Sequence, residues 1–390
     1  MLPRLLYVGD VPVEASCHGS ALLHRLLRDY PVDHLTVIET AAPSTPHRRL
    51  PKVKYLSHPI AKQRWLNTRF HSHAVAWFSR AANRRGPQIS ALLNGFACEG
   101  VLTVVHGFGW LAAADVAARR NVPLHLMVHD DWPRVVNVRP GFREWIDARF
   151  ASIYRTARSR MCVSPAMCAA YEARYRAPAE VIYPMRAANC VEFDEPPPRP
   201  GRSEGPFTIA FAGSINSNGY IEALRALQEA LEPVGGRLLI YGPLTEAAAR
   251  DVGLEHSQTV VCGLLNAGEL MQALRDEADA LFVPMSFDPA DSTNMELAFP
   301  SKLADCTAIG LPLVIYGPPY CSAVRWAREN AGVGEVVTTD SKPDLEAAIV
   351  RVANDPTLRF DLGKRAIEVG REYFAYEKVR QVFTRALSTT

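Results

Sequence analysis

The chain has 390 residues, enough for two domains of ordinary size, each with a hydrophobic core of its own. Hydrophobic residues make up 48% and charged residues 22%, as in globular proteins, and no apolar run is long enough to cross a bilayer. The first residues turn polar too soon for a signal peptide, and the eight cysteines show no disulfide-like spacing. The sequence therefore predicts a cytoplasmic protein with reduced thiols.

The charge is distributed unevenly between the two halves. Residues 1–190 hold 25 Lys or Arg against 13 Asp or Glu, whereas residues 191–390 hold 18 against 28. A basic first half indicates an anionic partner such as a membrane surface or a lipid pyrophosphate, and leaves open a peripheral position at the inner face of the membrane. It is equally compatible with well-solvated Arg-rich helices. No nucleic-acid-binding module is recognisable, so we expect no nucleic acid as a partner.

The first half has the pattern of a doubly wound parallel sheet. An apolar strand over 4–10 leads through a loop with Gly19 into a helix, and a second strand follows over 34–40. The Pro-rich, basic segment 41–59 is predicted to be mainly loop. The segment 65–85 predicts one amphipathic basic helix, whose aromatic side chains we expect to pack inward rather than lie on a membrane.

Two nearly all-apolar segments, 100–106 and 123–129, are typical of central parallel strands, and they end in His106 and His129. Ligands collect at the carboxyl ends of such strands, so both histidines are candidates for substrate contact. A histidine at a strand end is also common as a structural hydrogen-bonding group. The pair Asp130-Asp131 predicts capping or loop structure rather than a metal site.

A Pro-rich stretch over 191–206 predicts an exposed linker to a second domain, which begins with a strand, a small-residue loop over 213–219 and a helix. Backbone amides of this loop could reach a phosphate, although such turns are also common without a ligand. The candidate residues in the loop are Gly213, Ser214, Asn216 and Asn218.

The segment 298–313 predicts a short helix between a loop and a buried strand. Ser301 stands at its N-cap or first turn, where free amides favour a phosphate, and Lys302 adds a positive charge. Asp305 lies on the same face one turn further on, where it could accept hydrogen bonds from a ribose diol. Plain helix capping would produce the same pattern.

The run from Phe299 to Leu303, followed by Asp305 and by GLP at 310–312, resembles the donor-binding helix of GT-B glycosyltransferases similar to family 4, the retaining nucleotide-sugar enzymes. The resemblance implies an α/β fold of two Rossmann-like domains that face each other across a cleft. It places an acceptor domain at 1–190, a linker at 191–206 and a donor domain at 207–373. The last helix, within 374–390, would cross back to the first domain.

The resemblance also implies roles for individual residues. Asp305 would bind the ribose, Leu264 the base, and His129 the donor sugar near its reactive carbon. Glu296 would reach the sugar hydroxyls, although it stands nine rather than eight residues before the second acid, with Asp288 and Asp291 as rivals. The acceptor-side candidates are Gly19 and His106. The loop 213–219 lacks the Arg and Lys that family members carry, so the diphosphate charge would rest on Lys302 and helix amides.

The predicted function is transfer of a sugar from a nucleoside diphosphate sugar to a hydroxyl acceptor, such as a glycan, a lipid-linked molecule or a polysaccharide precursor. Retention of configuration is expected, with His129 and Glu296 as catalytic residues and without a metal ion or resident cofactor. Two alternatives remain open. One is a nucleotide-sugar epimerase of the same fold, and the other, suggested by the missing cations, is a non-catalytic sugar-binding protein.

Overall fold

The computed structural model describes residues 2–16, 18–61, 63–198, 205–215 and 217–388. The chain forms two compact units, one of residues up to Tyr183 together with those from Val379 on, the other Pro184–Lys378. Each unit contains a parallel sheet with helices, which confirms the predicted pair of Rossmann-like α/β domains. The segment 191–206, predicted as a linker, falls within the range of the second unit.

The sheet of the first unit is parallel throughout. Its strands are β1 (Leu5–Gly9), β2 (Leu35–Glu39), β3 (Lys54–Ser57), β4 (Gly100–Val104), β5 (Leu124–Val128), β6 (Ser159–Cys162) and β7 (Glu180–Val181). Over the described residues these seven strands lie in the order β3-β2-β1-β4-β5-β6-β7. Strands β1, β4 and β5 are buried along their whole length, as their apolar runs predict. The order reverses between β1 and β4, so a ligand is expected at the carboxyl ends of these two strands.

Helices follow most of these strands. They are α1 (His18–Leu27), α2 (Gln63–Leu66), α3 (His71–Ala82), α4 (Gly86–Leu92), α5 (Gly109–Arg120), α6 (Trp132–Val135), α7 (Pro140–Thr156) and α8 (Pro165–Tyr175). The single helix predicted over 65–85 is wrong, because the chain leaves the helix after Leu66 and again after Ala82. Thr68 explains the first break, since its hydroxyl donates to the Trp65 carbonyl oxygen and accepts from the Phe70 amide.

The second unit repeats the architecture. Its strands are β8 (Thr208–Ala212), β9 (Arg237–Tyr241), β10 (Thr259–Gly263), β11 (Ala280–Pro284), β12 (Leu313–Tyr316) and β13 (Gly334–Val337). In the part of the chain that the structure describes, they form a six-stranded parallel sheet in the order β10-β9-β8-β11-β12-β13. The order reverses between β8 and β11, which places the second switch point after Ala212 and Pro284.

The helices of this half are α9 (Asn218–Leu231), α10 (Glu246–Asp251), α11 (Ala267–Glu277), α12 (Ser292–Leu297), α13 (Lys302–Ile309), α14 (Ser322–Glu329), α15 (Lys342–Asn354) and α16 (Pro356–Phe374). The last helix, α17 (Tyr376–Ser388), begins in the second unit, and its residues from Val379 on belong to the first. The segment 285–298, predicted to be irregular, contains a 3-10 helix (Pro289–Asp291) and α12. The Asp288 carboxylate starts the 3-10 helix by accepting a hydrogen bond from the Ala290 amide. No helix within the described ranges is both long and apolar enough to span a bilayer.

Candidate functional site

Helix α13 carries two of the predicted donor-binding residues, Lys302 and Asp305, and Ser301 directly precedes it. The helix ends at Gly310, whose φ of +79° is a left-handed conformation that glycine adopts easily. Ser301 holds the expected position but does not cap the helix with its side chain, because its backbone angles are already helical. Asp305 is half-buried in the first turn.

The ammonium group of Lys302 is buried and has no hydrogen-bond partner among the described residues. Its Nζ atom lies 4.3 Å from the centre of the Phe211 ring and 5.2 Å from that of Tyr220. Aromatic faces attract a cation but do not replace its lost hydration, so burial lowers the pKa of Lys302 to about 8. An anion within hydrogen-bonding distance of this ammonium group would replace its lost contacts with water and would favour its charged form.

The loop after β8 brings backbone close to this ammonium group. A Cβ on Gly213 would lie 3.5 Å from Lys302 Nζ. A Cβ on Gly242, after β9, would lie 2.3 Å from the carbonyl oxygen of Gly213. Both glycines have strongly positive φ angles, +149° and +155°. These close approaches occur at the switch point of the second sheet, where a ligand is expected.

Ser217 and Asp291 join this loop to the segment after β11. Ser217 Oγ donates a 2.9 Å hydrogen bond to Asp291 Oδ2. A Cβ on Gly219 would overlap Ser286 Oγ and would come within 3.3 Å of the same carboxylate oxygen, so glycine is required at this start of α9. In the sequence, Asp291 is only an alternative to Glu296. Its contact with Ser217 joins residues 74 positions apart, which no spacing pattern reveals.

The other predicted donor-side residues lie on separate segments. Glu296 is exposed on α12 and not in an irregular loop as predicted. Leu264, after β10, is 72% exposed. Ser214 is half-buried in the loop after β8, whereas Asn218, expected in that loop, is the first residue of α9. Asn216 lies outside the described residues.

Two arginines hold helix α13 from behind. The buried guanidinium of Arg186 donates to the Ala304 carbonyl oxygen (3.1 Å) and to Thr307 Oγ1 (3.3 Å). Arg275 donates to the carbonyl oxygen of Ile309 at 2.5 Å. Ile309 lies in the last turn, where carbonyl groups have no partner within the helix, so Arg275 satisfies one of them, and Arg186 adds two hydrogen bonds that hold the middle of α13 in place. The sequence analysis missed both arginines, since nothing in their spacing relates them to α13.

In the first unit, His129 directly follows β5. Its Nε2 atom is buried and has no hydrogen-bond partner in the part of the chain that is described. A Cβ on Gly19 would lie 2.5 Å from His129 Nδ1, so the absence of a side chain there lets α1 approach the ring. Burial lowers the pKa of His129 to about 4, which keeps the imidazole neutral at physiological pH. The predicted donor-contact histidine and the predicted acceptor-side glycine are therefore neighbours.

The switch point of the first sheet contains a carboxylate that the sequence analysis did not single out. Asp10, after β1, accepts hydrogen bonds from the Phe108 amide (2.6 Å) and the Thr40 hydroxyl. Burial raises the pKa of Asp10, although these bonds and nearby His106 act in the opposite direction. His106 itself is exposed after β4. Asp10 thus joins the ends of β1 and β2 to the start of α5.

In the pair Asp130-Asp131, the second carboxylate is engaged by side chains of α8. The fully buried Asp131 carboxylate accepts from Arg174 Nη1 through both oxygens (2.9 and 3.0 Å) and from the Tyr171 hydroxyl (2.8 Å). It therefore stabilises the packing of α8 against the loop after β5. Across the residues described, no group of three or more His, Cys, Asp or Glu side chains could hold a metal ion.

Comparison with known proteins relates this architecture to glycosyltransferases. No protein-family model matches the sequence, and no curated protein does. Among solved structures, HepE from Anabaena with UDP and glucose is 14% identical, with 100% of both chains covered and a TM-score of 0.67. Sucrose-phosphate synthase from Thermosynechococcus elongatus is 16% identical over 99% of both chains, with a TM-score of 0.63. The chain has the GT-B fold.

A third GT-B structure agrees with this assignment. The α,α-trehalose 6-phosphate synthase from Burkholderia multivorans is 14% identical, with 99% of this chain and 96% of that chain covered and a TM-score of 0.66. In this GT-B chain the predicted residues fall into two groups. Lys302 and the loop after β8 meet at the switch point of the second domain. Gly19 and His129 meet at the strand ends of the first.

Proposed function

We propose that the chain is a glycosyltransferase that moves a sugar from a nucleoside diphosphate sugar to a hydroxyl group. The observation that carries the proposal is the buried ammonium group of Lys302 beside Gly213, which has no hydrogen-bond partner among the residues that the structure describes. A diphosphate would supply the missing negative charge, and the start of α13 would add the positive end of its dipole. HepE has been crystallised with UDP and with UDP-glucose, which supports a uridine nucleotide as the donor carrier.

In the proposed reaction, the bond between the anomeric carbon and the diphosphate oxygen breaks, and a bond from the acceptor oxygen to that carbon forms. Lys302 stabilises the negative charge that develops on the departing diphosphate, which takes up the acceptor proton. No strong protein base is required, so we propose retention of configuration. A bound metal ion and a resident cofactor are not needed, because the ammonium group supplies the positive charge.

The predicted roles of the remaining residues become part of the proposal. Asp305 would accept hydrogen bonds from the ribose, and the exposed side chain of Leu264 would pack against the base. His129 would orient the sugar as a neutral imidazole, and Glu296 would bind sugar hydroxyls. These roles require only polar contacts and a fixed cation, which are the contributions expected of a protein in displacement of a diphosphate.

We propose a glycan, a lipid-linked molecule or a polysaccharide precursor as the acceptor, with Gly19 and His106 on the acceptor side. The basic first half favours peripheral contact with an anionic membrane at its cytoplasmic face.

A second candidate function is binding of a nucleotide sugar without catalysis. It is favoured by one observation, that Ser214 in the loop after β8 and Asn218 at the start of α9 are uncharged, whereas the resemblance implies an Arg and a Lys in this segment. In that case a nucleoside diphosphate would still bind beside Lys302, but no sugar would leave it.

A thermal-shift screen of UDP, GDP and TDP and their sugars tests donor binding. A ligand at about one hundred times its dissociation constant adds about 2.7 kcal/mol to the free energy of unfolding, which raises the melting temperature. We expect one nucleoside diphosphate to stabilise the wild type but not Asp305→Ala. The control is Asp361→Ala, an exposed carboxylate on α16 of the same domain, which should respond like the wild type.

Product analysis then separates the possible functions. Release of UDP that depends on an acceptor supports transfer, whereas conversion of the sugar without an acceptor would indicate an epimerase. Binding without turnover over a panel of acceptors would indicate the non-catalytic protein. If no nucleoside diphosphate stabilises the wild type, the donor site is wrongly placed.

A further inference from the structure

The outer side of α2, of the turn after it and of α3 is both aromatic and basic. Three aromatic side chains there are exposed by half or more of their surface: Trp65 by 50%, Phe70 by 50% and Trp77 by 64%. We call this region the aromatic-basic surface, and it consists of Arg64, Trp65, Arg69, Phe70, His73 and Trp77. A group of exposed apolar side chains with polar residues around it is typical of a protein or membrane interaction site.

The three aromatic side chains are exposed although α3 already packs against the core of the first unit through its other face. The inner face of α3 is already buried, through Val75, Phe78 and Ala82 among others. The Phe78 ring contacts Phe108 with their centres 5.9 Å apart. Helix α3 therefore has two apolar sides, and packing within the first unit accounts for only one. The expectation that the aromatic side chains all pack inward is wrong for Trp65, Phe70 and Trp77.

The charges of this region have one sign. Between Glu39 and Glu99 the sequence has ten Lys or Arg and no Asp or Glu. Two of these cations lie directly on the exposed rings: the Arg69 guanidinium is 4.9 Å from the Phe70 ring centre, and that of Arg64 is 6.0 Å from the Trp65 ring centre. Exposed rings and guanidinium groups thus lie side by side on α2 and on the turn after it, without a carboxylate nearby in sequence.

We propose that the aromatic-basic surface binds the headgroup layer of an anionic phospholipid bilayer. The aromatic rings would enter the boundary between headgroups and acyl chains, and the guanidinium groups beside them would meet lipid phosphates. This inference deepens the membrane contact of the proposed function, for which it names the surface and the partner. It requires neither donor nor acceptor to be bound.

The observations favour a bilayer over two other occupants. In a symmetric dimer, a second copy of the chain would bring one basic surface against another, and the like charges would repel. A nucleic acid would be held by arginines aimed at its phosphates with bases stacked on a sheet or in a groove, whereas these rings project from a helix and the turn before it. A lipid headgroup layer suits rings and cations on one convex helical face.

Flotation with lipid vesicles tests the proposal on the full chain, without nucleotide. We expect the wild type to float with vesicles of phosphatidylcholine and phosphatidylglycerol, and not with phosphatidylcholine alone. Added salt should weaken binding because it screens the charges. Trp77→Ser should lower the affinity about tenfold, which is the effect of losing about 1.4 kcal/mol of apolar burial. Arg64→Gln with Arg69→Gln should lower it further on the anionic vesicles.

Matched controls lie in the second unit. Phe360→Ser removes a ring that is 42% exposed on α16, and Arg365→Gln removes an exposed cation on the same helix. Both variants should float like the wild type. Circular dichroism and UDP-induced thermal shifts should be unchanged in Trp77→Ser, which separates failure of this surface from failure of the donor site.

Three outcomes would overturn the proposal. The first is equal flotation with neutral and anionic vesicles, or equal loss in Phe360→Ser and Trp77→Ser. The second is tight binding of a single-stranded oligonucleotide that Trp77→Ser abolishes while vesicle binding is absent. The third is a concentration-dependent dimer in analytical ultracentrifugation that disappears in Trp77→Ser, since a second copy would then cover the surface.

Discussion

The ammonium group of Lys302 lies 4.3 Å from the centre of the Phe211 ring, and within the described residues no hydrogen-bond acceptor reaches it. This pairing joins α13 to β8 at the switch point of the second sheet. It also leaves a positive charge in a place where only a ligand can compensate it well. The first two predictions concern this charge.

Replacement of Lys302 by Gln should weaken binding of nucleoside diphosphates strongly and binding of the uncharged nucleoside little. A hydrogen bond to a charged group contributes about 1.5–3 kcal/mol, so the dissociation constant for UDP should rise about 10- to 100-fold. Isothermal titration calorimetry measures both ligands. Lys364→Gln, an exposed lysine on α16, is the matched control and should bind like the wild type. Equal UDP affinities of Lys302→Gln and Lys364→Gln would show that Lys302 does not bind the diphosphate.

The affinity for UDP should also depend on pH through Lys302. Its pKa of about 8 in the free protein means that the cation is the main form at neutral pH and a minor form one unit above that value. If only the cation binds a diphosphate, the affinity should fall about tenfold between about pH 7 and about pH 9. Calorimetry over this range measures the effect, and Lys302→Gln should abolish the slope.

Buried His125 in β5 and half-buried His129 after it should both make the protein sensitive to acid, but only His129 should affect turnover. Burial lowers the pKa values of His125 and His129 to about 4, from an ordinary value of 6.5. Between these values the unfolded chain binds more protons than the folded one, so stability is lost as the pH falls from 6.5 towards 4.

His129→Asn and His125→Asn should therefore both reduce this loss in urea unfolding at acidic pH. The turnover of His129→Asn should fall by at least about tenfold, because its ring is assigned to the sugar, whereas the ring of His125 hydrogen-bonds the Ser159 hydroxyl within the sheet. Gly19→Ala should imitate His129→Asn in turnover, since its Cβ would lie 2.5 Å from Nδ1. Normal turnover in both His129→Asn and Gly19→Ala would contradict the assignment.

Glu296 and Asp291 should differ in which constant they change. Glu296→Gln should lower kcat about 10- to 100-fold and leave UDP affinity unchanged, because a lost charged hydrogen bond to the sugar does not affect the nucleotide. Asp291→Asn should also weaken UDP binding, since Asp291 accepts the Ser217 hydrogen bond that orders the loop after β8. Calorimetry with UDP and kinetics with the UDP-sugar separate the two. The opposite pattern would exchange their roles.

Breaking the Asp131–Arg174 ion pair should destabilise the first domain strongly. Within the described residues, Arg174→Ala would leave the fully buried carboxylate with the Tyr171 hydroxyl as its side-chain donor, at a cost of about 3–5 kcal/mol. The control Arg119→Ala breaks the pair of Arg119 with Asp115, in which the arginine is 52% exposed, and should cost less than about 1 kcal/mol. Urea unfolding measures both, and equal losses would show that Asp131 finds another partner.

The fold could be predicted where local pattern determines it. Apolar runs located β1, β4 and β5, and the order of strand, small-residue loop and helix indicated both Rossmann-like domains. The place of helix α13 and its stop at Gly310 followed from turn chemistry, although Ser301 makes no capping hydrogen bond with its side chain. The helix predicted over 65–85 failed for a local reason too, because the Thr68 hydroxyl competes for backbone groups.

The site could be predicted only in part, because much of it consists of contacts between distant residues. Periodicity located Lys302 on a helix but not the two rings against its ammonium group. It could not relate Asp291 to Ser217, nor Arg186 to a helix that begins more than a hundred residues later. The strand-end position of His129 was readable, whereas its closeness to Gly19 depends on how α1 packs.

The hydrogen bonds from Arg186 to α13 determine where a fragment that contains the second domain alone should begin. A fragment that begins at Phe207 would lose this guanidinium and its Glu192 partner, and with them the hydrogen bonds from Arg186 to the Ala304 carbonyl and to the Thr307 hydroxyl. A fragment over Pro184–Lys378 would keep all of them. Truncation boundaries should therefore be drawn before the proline-rich stretch and not after it.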